Sequence, residues 1–128
     1  MSITPIYNTA INGRVDACRL LLESGANVNS LSAMKAMQWA INLGYIDICR
    51  LLLDYGMDPN INALGKKYLY GLPILNAIEC HRIEIVKLLI YRGANINQIK
   101  PWRSPLEYAR SNEAHDIFRL LTTYGAVE

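Results

Sequence analysis

Four times in 128 residues the chain writes the same phrase: a basic residue, an apolar run, then a glycine. Residues 19–29 read RLLLESGANVN, residues 50–60 RLLLDYGMDPN and residues 87–97 KLLIYRGANIN, and the sequence closes on RLLTTYGAVE. The glycines are Gly25, Gly56, Gly93 and Gly125, spaced 31, 37 and 32 residues apart. A recurrence of this length marks a stacked array, in which each unit buries its apolar face only against its neighbours. One domain of four units follows, with boundaries near 1–31, 32–62, 68–99 and 100–128.

Each leucine-rich run is a helix closed by glycine, which accepts the left-handed conformation at a helix end. A shorter first helix of about two turns is predicted upstream. It begins at Thr4-Pro5 in unit 1 and at Ser104-Pro105 in unit 4, where the hydroxyl caps open N–H groups and proline fits the first helical position. Unit 3 keeps only Pro73, after Leu72. Unit 2 has Lys35-Ala36 there, so Ser32 is the expected cap, one turn earlier. Ala10, Ala40, Ala77 and Ala109 are small residues where two helices must approach closely. The second helices carry an acid in the first turn (Asp16, Asp47, Glu84, Asp116) and a base three residues on (Arg19, Arg50, Lys87, Arg119). The acid suits the positive helix end and the pair is neighbourly at i, i+3; both are read as scaffold. Thr122 replaces the third apolar residue of the last run and Thr123 follows it; the two read as a polar cap, as do Asn8, Thr9 and Asn12 at the other end.

These residues resemble a known family. TPIYNTA at residues 4–10 and SPLEYA at 104–109 are similar to the ankyrin signature T-P-L-H-x-A, and ESGANVN and YRGANIN resemble the end of the ankyrin unit. KAMQWA at 35–40 is the most degenerate copy, and no copy keeps the signature histidine. The resemblance spans essentially the whole chain. It implies an all-α ankyrin-repeat solenoid of helix-turn-helix units with protruding fingers, either complete in itself or part of a longer array.

Chemistry is hard to place on this sequence. The 13 basic and 11 acidic residues give a net charge of +2, too balanced for bulk attraction to nucleic acid. Cys18, Cys49 and Cys80 are an odd count with no CxxC pair, which predicts reduced thiols and a cytoplasmic setting. Cys18 and Cys49 share one unit position and are expected in the core; Cys80 is nearer the concave side. His81 falls where the family often has a glycine between helices, and His115 in the first turn of the last helix. Neither has metal-ligand spacing to a Cys or Asp. The phosphate-loop, zinc-protease and serine-elbow patterns are absent. No enzyme, cofactor or metal is expected. No secretory leader is read in the first twenty residues, and no apolar run approaches the roughly 20 residues that span a bilayer.

A partner protein is the expected ligand. The ankyrin resemblance implies contact through the loops at 30–35, 61–72 and 98–103 and through the exposed faces of the first helices, which line a concave groove. The 37-residue spacing adds length to the middle finger, 61–72, and insertions in repeat arrays often fall on the binding face. Lys66, Lys67, Tyr68 and Tyr70 lie in that finger, and Lys100, Trp102 and Arg103 in the next. Trp39 and Tyr108 share one first-helix position, where units 1 and 3 carry Asn8 and Asn76. Leu31, Met34, Asn42 and Glu79 complete the expected contact set. Aromatics with arginine in a groove are the composition of binding hot spots, and the cations favour a partner with acidic character. Lys66, Lys67, Lys100 and Arg103 alone would give only modest, salt-sensitive nucleic-acid binding. The resemblance also marks Asn29, Asn60 and Asn97 for hydroxylation, each with a leucine eight residues before it, although the same asparagines serve as turn caps. Ile prevails over Val and Tyr over Phe, and Asn is abundant, a bias of AT-rich genomes that suggests a viral or bacterial protein acting on host factors. The alternative is a regulatory or targeting unit of a larger protein, favoured by an exposed apolar face at Ile6, Ile11 or Leu20.

Overall fold

The computed structural model describes residues 5–61, 72–97 and 104–127. Within them the chain forms eight helices: α1 (Pro5–Ile11), α2 (Val15–Glu23), α3 (Leu31–Leu43), α4 (Ile46–Asp54), α5 (Pro73–Glu79), α6 (Ile83–Tyr91), α7 (Pro105–Ser111) and α8 (His115–Thr123). Each odd helix packs on the even helix that follows it. The odd helices also pack on one another in sequence, and so do the even ones. Two parallel layers result, with the core between them. The helices bury apolar faces against neighbouring units, α5 on nearly all sides, so no unit could bury its apolar surface alone.

The core holds Met37, Ile41, Ile48, Leu52, Leu75, Ile78, Val86, Leu89, Ile117 and Leu121. Ala10, Ala40, Ala77 and Ala109 are fully buried in the odd row, where their small side chains admit the neighbouring helix. Cys18 and Cys49 are fully buried at equivalent points of α2 and α4, as expected. Among the described residues, no helix is long and apolar enough to cross a membrane.

The helix ends follow local chemistry. Ser104 accepts a bond from the Glu107 N–H while the Glu107 carboxylate accepts from the Ser104 N–H, a complete capping box ahead of Pro105. Every odd helix ends on a left-handed residue: Gly13, Gly44, His81 and Glu113. His81 and Glu113 hold this conformation despite their Cβ atoms, at φ 57° and 56°. Thr4 lies outside the described residues.

Unit 2 departs from expectation. Ser30, not Ser32, caps α3, its hydroxyl accepting from the Ala33 N–H at 3.1 Å. Residues 31–35, expected as a finger, are helical, so α3 has 13 residues against seven in α1, α5 and α7. The stretch LSAM contains no glycine or proline to stop the helix, and Ser30 supplies a cap at its start.

Acid–base pairs close in two even helices, Asp47–Arg50 at 2.9 Å and Glu84–Lys87 at 3.2 Å. Both are exposed and contribute a few tenths of a kcal/mol each. In α8 the Asp116 carboxylate instead accepts from the Ile117 N–H. The last unit is finished as a cap: Thr122 and Thr123 are exposed and donate to carbonyls one turn back, and the Arg110 guanidinium lies 5.2 Å over the Phe118 ring.

Among the described residues, several polar bonds join the second unit to the third. Arg82 donates from Nε to the Ile41 carbonyl at 3.2 Å and from Nη2 to the Asn42 carbonyl at 2.7 Å. The Asn60 side chain donates to the Gly93 carbonyl and accepts from the Asn95 N–H. Arg92 pairs with Asp54, and Cys80 Sγ donates to Asn42 Oδ1 at 3.2 Å. Between units 1 and 2 the Tyr55 hydroxyl reaches Glu23 at 3.5 Å. Between units 3 and 4, Tyr108 donates to Glu79 and Val127 to Asn97.

Candidate partner-binding surface

The odd row sets out the expected contact residues in order. Counting back from the left-handed residues, Asn8, Trp39, Asn76 and Tyr108 are equivalent. Trp39 is 41% exposed and Tyr108 is half-buried, with its hydroxyl donating to the exposed Glu79 carboxylate at 3.3 Å. Asn42 is half-buried and accepts from Cys80. Leu31 and Met34 sit on the additional first turn of α3, Leu31 being 53% exposed and Met34 half-buried.

Asn76 does not belong to this surface. It is only 4% exposed, and its amide donates to the Gln38 carbonyl across the unit boundary at 3.5 Å. A buried amide must find partners inside the protein, and Asn76 uses its groups to join α5 to α3. In its place the structure adds Leu43, 42% exposed at the end of α3, and the exposed Lys35 one turn after Leu31. Their spacing from Trp39, four residues either way, was the available signal; the expected finger at 30–35 obscured it. Lys66, Lys67, Tyr68, Tyr70, Lys100, Trp102 and Arg103 lie outside the described residues, as do most of the fingers at 61–72 and 98–103.

The thiols are held protonated. Burial pushes Cys49 up to about 12 from its ordinary 9.0. It raises Cys18 as well, and it raises Cys80, to which the neighbouring Glu79 charge adds. A thiol so shifted is a poor nucleophile at neutral pH, since the thiolate is the reactive form. Among the described residues, no three His, Cys, Asp or Glu side chains gather as a metal site.

The three asparagines marked for hydroxylation are exposed on the turns after the even helices. Asn60 and Asn97 bond across to the next unit, while the Asn29 N–H is satisfied locally by the Asn27 side chain.

Comparison with known families agrees with this architecture. Residues 1–63 match the model for Ankyrin repeats (3 copies), and residues 73–100 match the model for a single Ankyrin repeat. The pair α7–α8 repeats the same helix–left-handed turn–helix arrangement beyond the matched region. With four such pairs stacked in two layers and matches over most of its length, the chain belongs to the ankyrin-repeat family.

Proposed function

We propose that the chain is a non-enzymatic module that holds a segment of another protein against the exposed face of its odd helices and the adjoining fingers. Ankyrin repeats are generally protein–protein interaction modules. The observation that carries the reading onto this face is Trp39, a large aromatic left in solvent on a row whose opposite side is core. Exposed aromatics are characteristic anchors of binding hot spots. The thiols, all shifted toward the protonated form, favour recognition over chemistry. The composition and reduced cysteines extend the proposal to a cytoplasmic setting, and to a viral or bacterial protein acting on host factors in the cytoplasm or nucleus.

The test is affinity capture from a eukaryotic lysate with wild type beside a Trp39→Ala/Tyr108→Ala variant, both shown to be folded by circular dichroism. A protein retained by wild type and lost by the variant is expected. Equal retention would overturn the assignment to this face and move the site to the fingers or the even helices.

One observation favours a second reading. Leu20 is 63% exposed on α2, whereas its equivalent on α4, Leu51, is 3% exposed beside Val15 and Arg19 of the preceding unit. Ile6 is buried and Ile11 half-buried. An apolar position that unit 2 buries against its neighbour, and that units 3 and 4 half-bury at Leu88 and Leu120, suits a regulatory unit covered there by more protein.

A further inference from the structure

The exposed side of α3 is patterned. Leu31, Lys35, Trp39 and Leu43 recur every four residues, all exposed, while Ala33, Ala36, Met37, Ala40 and Ile41 face the core. At 1.5 Å per residue the row runs about 18 Å. An i, i+4 row of side chains is the ridge by which helices most often interlock, two such ridges crossing at about 50°. The seven-residue helices α1, α5 and α7 have no room for a row of four.

The charge on the ridge narrows the occupant. Among the described residues, Arg50, Lys87 and Arg92 have carboxylate partners in Asp47, Glu84 and Asp54, and Lys35 has none. The acid on neighbouring α5, Glu79, is engaged by Tyr108. The ridge therefore presents one uncompensated cation between two apolar anchors, Leu31 and Trp39. A second copy of the chain fits poorly: a parallel two-fold pairing of this row would set Lys35 against Lys35 and an antiparallel one would set Lys35 against Trp39, and neither supplies a carboxylate.

We propose that this ridge docks an amphipathic helix of a partner protein, whose apolar residues also repeat every four positions and whose stripe carries Asp or Glu where it meets Lys35. The proposal rests on the partner-binding reading above and specifies its ligand. Docking a helix by its apolar face needs only exposed anchors and a matching stripe, and a facing carboxylate sets register and excludes partners with a base there.

The test uses a display library on a stable helical scaffold, with one helix face randomised, selected against the full chain. Enriched sequences should carry apolar residues at four-residue spacing with an acid among them. Their binding should fall by about tenfold or more on Leu31→Ser/Leu43→Ser, the cost of losing roughly 1.4 kcal/mol. All three altered positions are exposed, so the fold is expected to survive. Selection against Lys35→Glu should enrich Lys or Arg at the position that carried the acid. The proposal is overturned if nothing is enriched, or if the variants bind the pool as wild type does. It is equally overturned if size exclusion shows wild type dimerising through this row. A lysate partner that depends on Trp39 and Tyr108, together with a failed selection, would leave the proposed function standing and remove the helix.

Discussion

Replacing Arg82 by alanine should remove the strongest polar link between the second and third repeats. Its guanidinium donates to two carbonyls at the end of α3, from Ile41 and Asn42, and lies against Gly44. Carbonyls at a helix end lack partners within the helix and carry its negative pole, so a cation there is favoured twice. Hydrogen bonds to charged groups contribute roughly 1.5–3 kcal/mol each. Arg82 is half-buried, and water can reclaim part of the loss, which places Arg82→Ala at about 3 kcal/mol. Arg82→Lys, which keeps the charge without the fork, should recover less than half of this. A Cβ on Gly44 would stand 3.0 Å from Arg82 Nη1, on a residue already at φ 80°. Gly44→Ala therefore carries a backbone cost of about 1–2 kcal/mol and a clash with the guanidinium. In the Arg82→Ala background only the backbone cost remains, so the double variant should be more stable than the sum predicts, by about 1 kcal/mol. Urea unfolding followed by circular dichroism measures all four corners of the cycle. A loss below about 1 kcal/mol for Arg82→Ala, or strict additivity with Gly44→Ala, would refute the reasoning.

Two further outcomes are expected. The folded Cys49 thiol keeps its proton to about 12, whereas the unfolded chain releases it near 9.0. The native state thus binds more protons in that interval, and stability should fall as pH rises through it, by up to about 1.4 kcal/mol per unit. Denaturant midpoints measured from about pH 8 upward should show a shallower decline for Cys49→Ala than for wild type. Glu113→Gly should raise the thermal midpoint: it relieves the left-handed strain at φ 56° and retains a net gain of about 0.5–1 kcal/mol after the added freedom of the unfolded chain is subtracted. An unchanged or lowered midpoint would show that Glu113 bears no strain.

Much of the scaffold was legible because it is written in local chemistry. The glycine after each leucine run, the proline at three first helices and the hydroxyl of Ser104 each act within a turn of where they stand, and the helix ends fall where they indicate. What escaped depends on distance or on competition. Arg82 bonds residues 40 and 41 positions earlier, and no local pattern announces it. The only trace is the row Tyr45, Arg82, Ala114, which is bulky where the helix end of the preceding repeat is glycine and small where it is His81. Asn76 reads as an exposed polar residue, yet the fold buries it and joins its amide to α3. The first turn of α3 was missed because two serines compete as caps and nothing between them breaks a helix. The exposed ridge, Leu43 included, became visible only once that turn was known to be helical.

The bonds of Arg82, Asn60, Arg92 and Cys80 all join the second repeat to the third, across the interval of 37 residues where neighbouring intervals have 31 or 32. Each doubling of a connecting loop costs only about 0.6 kcal/mol of closure entropy, far less than this set of bonds supplies. The two repeats are thus held in register by bonds across their shared face that depend little on the length of the chain between them. A connection whose length is this cheap to change can lengthen or shorten under selection without loosening the array.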